Sequence, residues 1–110
     1  MEKIKFDDFL KVEIKVGKIV FAKEVPKSEK LLRLEVNFDE AEPRQIISGI
    51  KKWYSPDELV GKSALFVTNL EPRSIMGLES NGMILGLENE EGNFSIATPD
   101  KNVAPGTKAS

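Results

Sequence analysis

The sequence predicts an all-β fold, a small five-stranded barrel formed by one domain that spans residues 1–110. Three observations support this fold class. Short segments alternate apolar and polar residues, turn-forming residues separate these segments, and helical segments are few and short. The chain is long enough for one compact core and too short for two ordinary domains.

Only two segments favour helix. Residues 6–10 are expected to form a short N-terminal helical turn. In the second segment Ser55 suits the N-cap, Pro56 suits the first helical position and Glu58 completes a capping box. Gly61 is expected to end this second helix.

The first strand is predicted from the alternation of residues 12–16. After Gly17 the apolar positions become Ile19 and Phe21, so the side-chain alternation changes phase. One extra residue would produce this change, and we therefore expect a β-bulge or a sharp bend at Gly17.

The remaining strands follow the same reasoning. Residues 32–38 alternate most clearly, residues 44–50 form a third strand, and residues 63–70 are apolar on both faces, as in a central strand. A loop is expected over residues 71–82. Met83, Leu85 and Leu87 alternate as a fifth strand, which a hairpin turn over residues 90–93 joins to a last strand starting at Phe94. The tail from Thr98 is expected to lie on the barrel surface.

Three strands, a helix, and two or three further strands are compatible with the five-stranded OB barrel, which has a helix between strands 3 and 4. The pattern alone does not distinguish this barrel from other small barrels.

The composition argues against an enzyme. The chain has no cysteine and no histidine. It therefore lacks a thiolate nucleophile, a cysteine-ligated zinc site and the side chain that usually transfers protons near neutral pH. We expect no catalytic residue, no metal and no cofactor. Apolar runs are far shorter than the roughly 20 residues of a membrane helix, and no secretory signal begins the chain, so we expect a cytoplasmic protein that does not contact membranes.

The charge is unevenly distributed. Residues 1–35 hold nine Lys or Arg and seven Asp or Glu, a net +2, whereas residues 36–110 hold seven and eleven, a net −4. The total of −2 argues against a general DNA-coating protein. The asymmetry allows a local basic surface and is equally compatible with an ordinary mixed-charge surface.

Six segments, taken together, resemble one known family. They are residues 8–19, 30–36, 47–50, 54–62, 69–73 and 76–85. The most specific part is Ser80-Asn81-Gly82-Met83 after Met76-Gly77. Their order and spacing resemble the tRNA-binding domain that forms the C-terminal part of many methionyl-tRNA synthetases and also occurs as free-standing dimers and in eukaryotic synthetase-associated proteins. The resemblance runs from about Phe6 to Lys108.

The resemblance implies an OB barrel that binds tRNA largely by shape, at the outer corner of the L, without reading an anticodon. Two positions depart from the family. Many members have Asp where this chain has Glu13 and Arg where it has Lys15. Both changes keep the charge, but Lys15 loses the capacity for bidentate contacts.

The candidate RNA-binding residues are Lys27, Lys30, Arg33, Ser48, Asn69, Arg73, Ser80, Gly82 and Met83. The three cations of the second strand and its preceding loop could neutralise phosphates, and Arg73 could fork onto phosphate or stack on a base. The polar and glycine positions could equally be structural, as loop caps and turn formers. Met83 could contact a base or fill the core. Trp53 and Tyr54 are expected to pack the short helix against the barrel rather than to stack on bases.

The resemblance also implies a homodimer, for which Met76, Leu78, Val103 and Pro105 are the interface candidates. The protein could act alone or in trans as a β subunit of methionyl-tRNA synthetase. Two alternatives stay open: a secretion-type chaperone that binds peptides on the same fold, and an assembly module that recruits a synthetase.

Overall fold

The computed structural model describes all 110 residues. The helices are α1 (Phe6–Phe9) and α2 (Pro56–Leu59). The strands are β1 (Ile14–Glu24), β2 (Leu32–Asn37), β3 (Arg44–Ser48), β4 (Ser63–Val67), β5 (Arg73–Ile75), β6 (Leu78–Ser80), β7 (Met83–Ile84), β8 (Gly86–Glu88) and β9 (Phe94–Ile96). Five strands form an antiparallel sheet in the order β3-β2-β1-β4-β7, and contacts between β3 and β7 nearly close it into a barrel. The predicted all-β barrel with a helix between strands 3 and 4 is confirmed.

The barrel interior holds one cluster of buried apolar side chains. It comprises Ile19, Leu32, Leu34, Val36, Phe38, Ile46, Ile50, Leu59, Ala64, Phe66, Ile84 and Ile96. Every second residue of β2 belongs to it, as the alternation predicted. Phe38 and Phe66 meet edge to face with ring centroids 5.2 Å apart, a favoured arrangement of aromatic rings.

The predicted boundaries of α2 are confirmed. The Glu58 carboxylate accepts hydrogen bonds from the backbone N–H of Ser55 at 2.9 Å and from its hydroxyl at 3.2 Å. Gly61 follows in the left-handed region, with φ of +94°, where glycine is favoured. Leu59 is fully buried, and the Gly61 N–H donates to the Ile19 carbonyl at 2.8 Å. The helix is therefore held against β1.

The bulge predicted at Gly17 lies three residues further on. The pairing of β1 with β2 shifts register between Ile19 and Phe21. Gly17 serves a different purpose, because a Cβ there would lie 2.5 Å from Val36 Cγ1 and 2.6 Å from Phe38 Cε1. The prediction was wrong because it placed Phe21 on the same side as Ile19, whereas Phe21 pairs with Glu35 and is exposed.

The segment predicted as a loop over residues 71–82 contains the β5–β6 hairpin. Ile75 pairs with Leu78, so its turn has only two residues, Met76 and Gly77. Their φ angles of +50° and +78° are those of a type I′ turn, whose twist matches a hairpin. The sequence concealed this hairpin because methionine rarely occupies a left-handed position.

The fifth strand is present with the opposite phase, and the prediction of its inward residues was wrong. Ile84 pairs with Phe66 and faces the core, whereas Met83 and Leu87 are exposed. The predicted tail position is confirmed. Lys108 forms an antiparallel bridge with Lys15. No helix is long and apolar enough to span a membrane.

Candidate nucleic-acid interface

The outer face of β1 and β2 carries a row of cationic and aromatic side chains. Arg33 pairs with Lys23 across β1 and with Ile47 across β3. Directly paired residues of antiparallel strands project from the same face about 5 Å apart, so the two cations lie side by side. The guanidinium carbon of Arg33 is 4.9 Å from the centroid of the Phe21 ring, and its Nη1 donates to Glu35 at 3.2 Å. We call Phe21, Lys23 and Arg33 the outer row.

Lys27 and Lys30 lie in the loop between β1 and β2. The Ser28 N–H donates to the Val25 carbonyl at 3.1 Å, and Lys27 has a φ of +66° after Pro26. These features define a type II turn. The Ser28 hydroxyl oxygen accepts from the Lys30 N–H at 3.2 Å. The loop is thus a defined turn whose two lysine side chains are exposed.

Lys51 joins this basic loop, and sequence reasoning missed it. Its N–H donates to the Lys30 carbonyl at 3.2 Å, and its Nζ donates to the Ser28 carbonyl at 3.1 Å. The same Nζ is 3.3 Å from Glu24 Oε1. The signal in the sequence was the pair of consecutive lysines that follows the third strand.

A small cleft of about 50 Å³ lies between the β5–β6 hairpin and β3. Four of the predicted contact residues line it: Arg73, Ser80, Gly82 and Met83. Arg73 and Met83 are exposed, whereas Ser80 is buried. Ile47 also lines the cleft and pairs with Arg33, so the cleft adjoins the outer row.

Ser80 and Gly82 form the seam between β3 and the hairpin. The Ile47 N–H donates to the Ser80 hydroxyl oxygen at 2.9 Å in a buried position. Gly82 has a φ of +130°, and a Cβ there would lie 3.1 Å from Ile46 Cδ1 and 3.3 Å from the Val67 carbonyl oxygen. These contacts favour the structural interpretation of both residues. Met83, which is exposed, leaves its side chain free to contact a ligand.

The remaining polar candidates lie at strand ends. The amide of Asn69 accepts from the Glu13 N–H at 2.8 Å and donates to the Lys11 carbonyl at 2.6 Å. Both ends of this amide therefore hold the segment that precedes β1, which favours the structural interpretation. Ser48 is half-buried at the end of β3, opposite Leu32.

Two carboxylates with lowered pKa values lie beyond the ends of the central strands. The Thr68 hydroxyl donates to Glu13 at 2.7 Å and lowers the pKa of that carboxyl, with Lys15 adding to the effect and partial burial opposing it. Arg44 donates two 2.8 Å hydrogen bonds to Glu40, which lower the pKa of Glu40 and raise that of Arg44. Lys15 is also 3.6 Å from Glu13. These two cations are therefore committed within the protein.

The aromatic cluster near α2 has the predicted packing role. Trp53 stacks on Phe94 with centroids 4.5 Å apart, and its Nε1 donates to the Gly92 carbonyl at 3.2 Å. The Tyr54 hydroxyl accepts from the Ile96 N–H at 3.2 Å. These contacts attach the segment before α2 to the β8–β9 hairpin.

A second, apolar surface covers the N-terminal segment. Its exposed side chains, which we call the N-terminal apolar patch, are Ile4, Phe6, Phe9, Leu10 and Val12. No residue of α1 is buried. A groove of about 190 Å³ lies between this patch and residues 108–110.

The four interface candidates from the sequence lie elsewhere. Met76 is exposed at the tip of the β5–β6 hairpin, and Leu78 is half-buried on β6. Val103 lines a polar groove with Lys62, and Pro105 is half-buried in the tail. No group of three or more acidic, cysteine or histidine side chains is arranged to hold a metal ion.

The barrel, the outer row and the adjoining cleft define a small β-barrel binding module of the OB class. The family model described as a putative tRNA binding domain matches residues 14–108, and the chain belongs to this family.

Known proteins agree with this assignment. The methionine–tRNA ligase of Parabacteroides distasonis is 47% identical over 107 residues, which are 97% of this chain and 16% of that protein. The chain thus spans about a sixth of the length of this relative. The MetRS-related protein from Pyrococcus horikoshii superposes with a TM-score of 0.93 at 35% identity, with full coverage of both chains. The chaperone CsaA from Bacillus anthracis has a TM-score of 0.88 at 31% identity and covers 99% of this chain and 100% of its own.

Proposed function

We propose that this protein binds folded tRNA through its phosphate backbone and its shape, without performing catalysis. The observation that carries the proposal is the continuity of three features: the outer row, the basic loop with Lys27, Lys30 and Lys51, and the cleft with Arg73 and Met83. Cations supply most of the affinity for nucleic acid by releasing counterions from phosphates. An OB barrel presents nucleic acid to its second and third strands and the neighbouring loops, where these features lie.

In this proposal the candidate residues have two kinds of role. Lys27, Lys30, Arg33 and Arg73 contact phosphates, and Met83 contacts a base or sugar. The other candidates shape the surface that the RNA meets: Ser48, Asn69, Ser80 and Gly82. The ligase relatives, of which this chain matches a part, support a role beside methionyl-tRNA synthetase, either in trans as a subunit or as a recruitment module, in the cytoplasm.

The test is a filter-binding titration of bulk tRNA over a series of salt concentrations. The Lys30→Gln/Arg33→Gln variant should bind more weakly, and its log–log salt slope should be flatter by about two, since each lost phosphate contact removes about one unit. Lys101→Gln, an exposed lysine in the tail, is the matched control and should bind like the wild type. Failure of the wild-type protein to bind tRNA at low salt would reject the proposal.

We further propose a homodimer that buries the N-terminal apolar patch. A four-residue helix is not stable alone, because helix nucleation is unfavourable and short helices depend on tertiary packing. α1 lacks this packing within the chain, while Phe6 is 71% and Leu10 is 55% exposed. A second copy would cover these side chains and double the cationic surface.

Sedimentation velocity tests the dimer. Phe6→Ser/Leu10→Ser should sediment as a monomer with an unchanged far-ultraviolet circular dichroism spectrum of the barrel. Met76→Ser, at the hairpin tip, should sediment as the wild type does. The reverse result would move the interface to Met76 and its neighbours.

A peptide-binding chaperone is the second candidate function. The apolar groove beside Phe9, Leu10 and Val12 and the likeness to the CsaA chaperone support it. Nuclease-treated protein should then suppress aggregation of an unfolded test polypeptide, and the Phe9→Ser variant should not. tRNA binding that survives this substitution would separate the two functions.

A further inference from the structure

An exposed phenylalanine marks the centre of the outer row. The bulge between Ile19 and Phe21 places two consecutive apolar side chains outside the barrel, with Val20 42% and Phe21 38% exposed. Burying a phenylalanine side chain stabilises a fold by roughly 1.5–3 kcal/mol, and this chain forgoes part of that gain at Phe21. The ring lies instead on the face that the proposed function assigns to RNA.

The Arg33 guanidinium extends this aromatic surface. Its carbon lies 4.9 Å from the ring centroid, within the range of a cation–π contact. The Nη1 group donates to Glu35 at 3.2 Å, which fixes the plane of the guanidinium on its outer side. The arginine side chain is only 27% exposed. A held guanidinium and a ring therefore make one rigid surface, so little side-chain entropy is lost when a ligand binds to it.

The charges around this surface suit a nucleotide. Lys23 pairs directly with Arg33 and is exposed. A flat π surface beside a free ammonium group matches a base with its neighbouring phosphate, because bases stack on aromatic and guanidinium planes while lysines neutralise phosphates.

We propose that Phe21 and Arg33 form a stacking platform for an unpaired or helix-terminal base of the bound RNA, with Lys23 on the adjoining phosphate. This inference rests on the proposed tRNA-binding function and adds a contact that depends on a base face rather than on charge.

The first experiment separates stacking from charge. Phe21→Leu keeps an apolar side chain without a ring and should weaken tRNA binding roughly five-fold or more, with the salt slope unchanged. Phe21→Tyr keeps the ring and should bind like the wild type. Val20→Ala changes the exposed neighbour and is the matched control. Circular dichroism and urea unfolding of each variant exclude loss of the fold.

A second measurement detects the stack directly. Phe21→Trp adds a reporter to a protein whose only tryptophan is Trp53. Addition of tRNA should quench its fluorescence and protect it from acrylamide more strongly than in the wild type. Equal affinity of Phe21→Leu and wild type, or an unprotected tryptophan at position 21 in a saturated complex, overturns the platform while the proposed function stands. A wild-type protein that binds no tRNA overturns both.

Discussion

The backbone N–H of Ile47 donates a 2.9 Å hydrogen bond to the side-chain oxygen of Ser80, 33 residues along the chain, in a buried position. This bond joins β3 to the β5–β6 hairpin and so places the hairpin beside the outer row. A serine that could have been reserved for a ligand therefore holds the surface together.

Ser80→Ala should destabilise the protein by about 1–3 kcal/mol, because the Ile47 N–H would remain buried without a partner. Urea unfolding measures this loss. Ser74→Ala changes an exposed serine of the same hairpin and should be near neutral. An unchanged unfolding midpoint with lost tRNA binding would instead make Ser80 a direct RNA contact.

Gly17→Ala should destabilise the barrel by about 1–3 kcal/mol through overpacking. The new Cβ would lie 2.5 Å from Val36 and 2.6 Å from Phe38, both buried in the core. Gly49→Ala is the control, since its Cβ would meet no atom within 4 Å. Thermal or urea unfolding of the two variants compares them, and equal stabilities would contradict the close approach at Gly17.

Met76→Asn should stabilise the β5–β6 hairpin by a few tenths to about 1 kcal/mol, because asparagine followed by glycine is favoured in a type I′ turn. Met76 has a φ of +50° and is 59% exposed, so the change loses little packing. Differential scanning calorimetry should show the gain. A fall in stability that depends on protein concentration would show that Met76 lies in a dimer interface.

The hydrogen bond from Thr68 to Glu13 should make stability depend on pH. It lowers the pKa of the Glu13 carboxyl in the folded protein. A carboxyl whose pKa is lowered by folding stabilises the protein above its unfolded-state value, about 4.3, and this contribution is lost as pH falls through the folded-state pKa.

Thr68→Val should therefore cost about 1 kcal/mol at pH 7 and less near pH 3, where both proteins have a protonated Glu13. Urea unfolding of both proteins at the two pH values gives this difference. Because Glu40 and Glu58 titrate in both proteins, the comparison isolates the Glu13 contribution. A difference that does not shrink on acidification would contradict this assignment.

Much of the fold follows from local patterns. The alternation of β2, the Ser55-Pro56 start of α2 and its end at Gly61 depend on side chains a few positions apart, and the structure has all three. Periodicity and capping act over one or two turns of chain, so they can be read without knowledge of partners. The position of Arg33 on the outer side of β2 follows from the same alternation.

The surface needed strand pairing and contacts between distant residues. Phe21 faces outward because β1 shifts register against β2, and Ser80 and Asn69 are occupied by partners 33 and 56 residues away. Lys51 joins the basic loop through a carbonyl 23 residues earlier. A one-residue change of register moves side chains to the other face, and hydrogen bonds across the barrel exist only once it closes. The local sequence therefore specifies the strands, while the closed barrel specifies which side chains remain free to meet a ligand.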